Sequence, residues 1–248
     1  MKELTAEEIA ANYKNFIEVI ETTFEGKRKE NLLKMYSKLE ERIMLAPASG
    51  NINYHNCFPG GYIDHVLRVC NTSMRLYNLW KETGVDCNFT EEELVFSAIN
   101  HDLGKLGDME SDYYLAGASG WSQKKGQRYD YNPDLPYMGA AERSLFLLQQ
   151  NNIPMTQNEY FAIKLHDGMY IEGNKAYLFN FPGKEIKTFL PILLHHADHL
   201  ATLAEKSMVK VSPSKTIKKP NKKSFKSVAE NSVSLNKGQS DLFDELFK

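Results

Sequence analysis

The chain has 248 residues, of which 42% are apolar and 25% charged, with a net charge of −2. That length fits one generous domain with a real core, or a domain plus a tail, and the near-neutral balance argues against wholesale coating of nucleic acid. No apolar run approaches the roughly 20 residues that cross a bilayer, and Met1-Lys2-Glu3-Leu4 does not open a secretory signal.

Thr5-Ala6-Glu7-Glu8 is a capping box, and it predicts a helix to about Phe24 with Ile9, Tyr13, Phe16, Ile17 and Ile20 on one face. Gly26 ends it. Residues 27–45 read as a second helix, closed by Pro47 and Gly50. Residues 48–61 are irregular and carry His55; the Gly60-Gly61 pair punctuates a tight start to a third helix over 62–83, which holds His65. Thr90-Glu91-Glu92-Glu93 is a second capping box. Its helix places Leu94, Ala98 and His101 on one face, so His101 points the way the core does, near a helix C-terminus.

Residues 109–138 lack apolar periodicity but are rich in Tyr, Lys and Arg. A segment this long is functional or disordered, and its aromatic content argues for order: a long irregular lid, with short strands around 127–131. Residues 141–150 are helical. Thr156-Gln157-Asn158-Glu159 is a third capping box, opening a helix through His166 to Gly168. Residues 170–181 read as a small β-hairpin and 190–206 as the last clear helix, on which His195, Asp198 and His199 share a core-facing side. Residues 207–238 are Lys-rich with Ser, Asn and Pro, the composition of a disordered basic linker. Residues 239–248 form an acidic, amphipathic peptide. The fold class expected is all-α, a helical bundle. Cys57, Cys70 and Cys87 form no CxxC pair and are odd in number, which suggests reduced thiols in a cytoplasm.

The chemistry-bearing residues are His65, His101, Asp102 and Asp198, on three separate helices. Adjacent helical residues project roughly 100° apart, so His101-Asp102 grips a cation only if other helices complete the shell, as bundles allow. Histidine nitrogen and carboxylate oxygen suit borderline and hard divalent ions, and such an ion acidifies water toward a nucleophile. Lys105, one turn on, neutralises a phosphate oxygen. His195 and His199 are expected to support the ligands rather than join them. His166, Arg143 and His55 are further candidates, and Tyr114, Trp121, Lys124, Arg128 and Tyr129 form an aromatic-basic set of the kind that stacks a base and holds phosphate.

In this order, His65, then Asn100-His101-Asp102-Leu103-Gly104-Lys105, then Asp198, the sequence resembles the HD-domain phosphohydrolase superfamily of phage or bacterial type. The run Tyr54-His55 to Gly60-Gly61-Tyr62-Ile63-Asp64-His65 is similar to the lead-in of bacterial 3′–5′ exoribonucleases that carry an HD domain. The resemblance implies an all-helical HD-type domain over 26–206, preceded by an N-terminal helix over 1–25. It implies hydrolysis of a phosphate ester of a nucleotide or nucleic-acid end, with the metal on His65, His101, Asp102 and Asp198. Asp102 and Lys105, helped by His166 and Arg143, are then the catalytic set. Many members add two histidines for a second metal; His166 fills one such place, but residues 140–144 lack the other. One divalent ion (Mn, Fe, Co, Ni, Zn or Mg) is therefore expected. The terminal Gln239-Ser240-Asp241-Leu242-Phe243, in a run that continues to Phe247, resembles peptides that dock in bacterial and phage sliding clamps. That supplies an alternative: a weakly or non-catalytic HD binding module tethered to a replication clamp, in the cytoplasm of a cell or phage host, with no membrane partner.

Overall fold

The computed structural model describes residues 3–117, 120–179, 182, 183 and 185–210. The side chain of Trp121, the Lys-rich segment beyond Lys210 and the peptide over 239–248 lie outside the described residues, so the substrate role of Trp121, the linker and the clamp-docking reading have no structural counterpart below.

The helices are α1 (Ala6–Thr23), α2 (Gly26–Lys38), α3 (Glu40–Leu45), α4 (Gly61–Glu82), α5 (Glu91–Asn100), α6 (Gly120–Lys124), α7 (Ala140–Gln150), α8 (Gln157–Leu165), α9 (Lys175–Leu178) and α10 (Leu190–Lys210). The fold is an all-α bundle with one two-stranded sheet. All three expected capping boxes form: Thr5, Thr90 and Thr156 each accept from the third helical N–H, and Glu8, Glu93 and Glu159 reach back to the cap N–H. Each such cap is worth about 1 kcal/mol and fixes where its helix begins.

The long helix expected over 27–45 is broken. Leu39 leaves helical geometry at φ −100°, ψ 6°, with its N–H on the Tyr36 carbonyl. Leu32, Met35, Tyr36, Leu39 and Ile43 stay buried on both sides of the break, so the apolar pattern runs through it. Gly61 opens α4 because a Cβ there would stand 2.0 Å from the Asn56 carbonyl oxygen. α4 is the central element: α1, α3, α5 and α10 all pack on it. Phe16, Ile20 and Phe24 of α1 and its C-cap are buried in the same core as α4, α5, α8 and α10, so the N-terminal helix is part of the domain and not a separate unit. α10 runs four residues past the expected end at 206. Among the described residues no helix is long and apolar enough to cross a membrane.

The lid contains the sheet. Strands β1 (Tyr114–Ala116) and β2 (Tyr129–Tyr131) pair antiparallel, Tyr114 opposite Tyr131. The Arg128 and Tyr129 N–H groups donate to the Gly50 carbonyl, and Ile52 N–H to Gly126, which ties the lid to the loop before α4. Among the described residues, the hairpin expected over 170–181 does not form. The described residues of that stretch form short 3-10 turns (Gly168–Tyr170, Glu172–Asn174) followed by α9. Local bonds decide it: the Asn174 side-chain amide donates to the Gly168 carbonyl (3.0 Å), and the Asn174 N–H to Ile171.

Candidate metal centre

His101 and His166 occupy the same structural position on different helices. Each is the residue that caps a helix at its C-terminal end, α5 and α8 respectively. The last-turn carbonyls of a helix lack intrahelical partners. Each histidine fills one: Nδ1 of His101 lies 2.8 Å from the Ala98 carbonyl, and Nδ1 of His166 lies 2.8 Å from that of Ile163. A carbonyl can only accept, so each Nδ1 donates to it and Nε2 is the nitrogen each ring turns inward. His65 is handled differently. Its Nδ1 stands 3.1 Å from Oε1 of Glu205, on α10.

All three Nε2 atoms then point into one place. His65 and His101 bring theirs within 3.4 Å of each other. Oδ1 of Asp198 is 3.1 Å from His65 Nε2. Oδ2 of Asp102 is 3.5 Å from His101 Nε2 and 3.7 Å from His65 Nε2, while Oδ1 is 3.6 Å from His166 Nε2. Two sets of ligand atoms, His65/His101/Asp102 and His101/His166/Asp198, each lie within 4.8 Å of one another, and they share His101. His65, His101, Asp102 and His166 are at most 2% exposed, whereas Asp198 keeps a fifth of its side chain in solvent. Asp102 Oδ1 is buried with no hydrogen-bond partner. Imidazole nitrogens and carboxylate oxygens that converge on one place, one of those oxygens orphaned, are what a cation resolves, so these residues fit a divalent ion.

The electrostatics agree. Burial pulls the His65 imidazole down, but Glu205 and Asp198 outweigh it and hold it up at about 10. Burial likewise opposes, and Asp167, Asp102 and Asp198 override, for His166, at about 9. Burial raises Asp102 and Asp198, yet Lys105 and His101 for the first, and His65 for the second, hold both below the usual carboxylate range. The protons that His65 and His166 hold, beside two carboxylates kept charged, are ones that a divalent cation would displace on binding.

No family model, curated protein or solved structure matches the chain.

The remaining expected residues separate into those the fold brings to the centre and those it does not. Lys105 is there: its Nζ is 2.6 Å from Asp102 Oδ2. His166, expected as a catalytic or substrate group, stands among the ligands themselves. His55 is not on an open substrate face. It is mostly buried, edge-on to the His65 ring at 4.5 Å, with Nδ1 2.7 Å from Glu205 Oε2. Burial, and then the neighbouring His65, hold its pKa below the ordinary imidazole value. Tyr114 and Tyr129 line a cavity that also includes Lys105. Arg143 does not reach the cluster. α7 presses on the turn after His101, and the Arg143 guanidinium is turned to the base of the lid, bonding the Pro136 carbonyl (2.7 Å) over the Tyr113 ring. Arg128 pairs with Glu3 on the surface, and Lys124 is exposed on α6; neither bonds a cluster residue. His199 is exposed rather than core-facing; the stacked His195 alone of the pair turns inward, its Nδ1 on the His166 carbonyl at 2.7 Å.

Two residues that hold the cluster in place escaped the sequence reading. Glu205, 2% exposed, holds both His55 and His65. Arg68 Nε lies 3.2 Å from its Oε1, close enough for an ion pair though not aligned as a hydrogen bond. Its cue was its spacing, two turns beyond Asp198 on one helix. Ser144 had no cue at all. Its hydroxyl accepts from the Gly104 N–H (2.8 Å) and lies 3.1 Å from the His101 carbonyl, pinning the turn that presents Asp102.

Proposed function

We propose that the chain is a metal-dependent phosphohydrolase that cleaves a phosphate ester of a nucleotide or nucleic-acid end. The observation that carries this reading is the convergence of three histidine Nε2 atoms on Asp102 and Asp198, with every Nδ1 tied outward. The ordered likeness to HD-domain phosphohydrolases, with Gly104-Lys105 directly after the His-Asp pair, supports it.

His65, His101, Asp102 and Asp198 would hold the ion, with His166 beside them; imidazole suits Fe, Ni and Zn, and the carboxylates also accommodate Mn and Mg. When bound, a divalent cation supplies acidified water and polarises a phosphoryl oxygen. The chain's own residues do the rest. Glu205 keeps the His65 ring turned so that Nε2 faces inward. Lys105 sits beside Asp102 with a fifth of its side chain exposed, and its charge opposes the negative charge that grows on phosphorus-bound oxygen in the transition state. Asp198 and Lys105, each with a fifth of its side chain exposed, mark the side from which substrate arrives.

The test is metal analysis of the purified protein together with a screen of nucleotides and short oligonucleotides under Mn, Fe, Co, Ni, Zn and Mg. Asp102→Ala is expected to lose bound metal and turnover together. Turnover that survives both chelation and Asp102→Ala overturns the proposal.

A further inference from the structure

Two cavities flank the lid hairpin, and Tyr113 lines both. The first, about 450 Å³, lies between β1 and the end of α3 and includes Lys105, the residue that bonds Asp102. Its walls are three tyrosines, Tyr113, Tyr114 and Tyr129, and an apolar side from Leu45 and Pro47. A cavity of this size with apolar walls and few polar groups suits one small flat ligand.

Its charge is telling. It is lined by two acids, Glu41 and Asp112, and two bases, Arg42 and Lys105. Arg42 is engaged by the protein: its Nε is 2.7 Å from Asp112, and NH1 donates to the carbonyls of Asp108 and Ser111. Lys105 bonds one oxygen, Asp102 Oδ2, and its ammonium has further N–H groups that can meet an anion. The second cavity adds Arg143, bonded to Pro136, and Asp134. Among the described residues, neither cavity is lined by a run of unpaired cations. A phosphate monoester carries about −1.5 to −2 at neutral pH. A triphosphate or a strand multiplies that charge and is held by correspondingly more cations along a basic groove.

We infer that the substrate is a nucleoside monophosphate, its single phosphate at Lys105 beside the cluster and its base against the Tyr113–Tyr114 wall. This rests on the phosphohydrolase reading. The reaction is then hydrolysis of one P–O ester bond: the water oxygen becomes bonded to phosphorus, the nucleoside oxygen leaves with a proton, and the products are nucleoside and inorganic phosphate.

The experiment compares kcat/KM for AMP and dAMP with that for ATP and a short oligonucleotide, on wild type, Tyr114→Leu and Tyr114→Phe. It adds equilibrium titration of chelated protein with adenosine, which needs neither metal nor chemistry. Monophosphates are expected to lead by at least about tenfold. Tyr114→Leu should raise KM about tenfold at near-constant kcat and weaken adenosine by a similar factor, as loss of a stacking ring does, while Tyr114→Phe behaves as wild type. Preference for ATP or for the oligonucleotide overturns the inference and leaves the hydrolase reading standing. So does a folded Tyr114→Leu with unchanged KM and adenosine binding. No turnover of any ester sinks both; adenosine binding that still depends on Tyr114 would then place the failure in the chemistry and not in the cavity.

Discussion

Replacing Glu205 tests whether the centre depends on a residue that touches no substrate. Its carboxylate is 2% exposed and faces three donors: Nδ1 of His55 at 2.7 Å, Nδ1 of His65 at 3.1 Å and the Arg68 guanidinium at 3.2 Å. These contacts hold its acidity near 2 despite burial, through His65 first and His55 second. Glu205→Gln keeps the shape but offers a single acceptor oxygen; its amide NH₂ must face a ring N–H or Arg68, donor against donor. His65 then loses both its anionic partner and its enforced orientation. Partners of this kind are worth roughly 10- to 100-fold in metal affinity, which is about 1.4–2.7 kcal/mol. We expect Glu205→Gln near the lower end and Glu205→Ala, which strands Arg68 as well, near the upper. Competition with a chromophoric chelator reads the affinity, and thermal melts of the chelated variants confirm the fold. Wild-type affinity in two folded variants would refute the idea that Glu205 aims His65.

Three further outcomes follow from the same geometry. The folded-state values of His65 and His166, about 10 and about 9, lie above the ordinary 6.5; their stabilisation of metal-free protein is complete below pH 6.5 and lost as pH rises through 9 to 10. The melting temperature of chelated protein should fall over that window while the increment from added metal grows; a flat or rising profile contradicts this. Gly104→Ala puts a Cβ 2.1 Å from the Ala140 carbonyl oxygen, so α7 or the turn must move; loss of metal affinity with a lowered melting point is expected, and wild-type values in both would count against the close approach. Ser144→Ala leaves the buried Gly104 N–H unpaired, at about 1–3 kcal/mol, measurable by urea unfolding; a change under about 0.5 kcal/mol would mean the bond does not matter.

Local chemistry was legible wherever it was written within a few residues. Thr5, Thr90 and Thr156 declared three helix starts because a capping box needs only four positions. His101-Asp102 with its Gly-Lys sequel pointed to the centre, and the helical faces carried His65 and Asp198 to it. What stayed hidden depended on rotation and contact. Glu205 reads as one more charge near a helix end until α10 is seen to bury it against α4. Arg143 packs on the turn after His101, but its guanidinium is aimed at Pro136. The stretch after Gly168 looks strand-like from its aromatics, yet the bond from Asn174 to Gly168 curls it. The break at Leu39 was masked because burial continues across it.

The twin attachment of His101 and His166 to carbonyls of their own helices has a consequence for motion. Each imidazole is a strut braced on the final turn of α5 or α8, so neither ring can hold its aim if that turn frays. Fraying and ion release are then one event seen from two sides, linked by mass action. Hydrogen–deuterium exchange should register this directly: amides in the closing turns of α5 and α8 would slow together when metal is added and quicken together when it is withdrawn, while the opening turns of those helices, fastened by Thr90 and Thr156, keep their own pace.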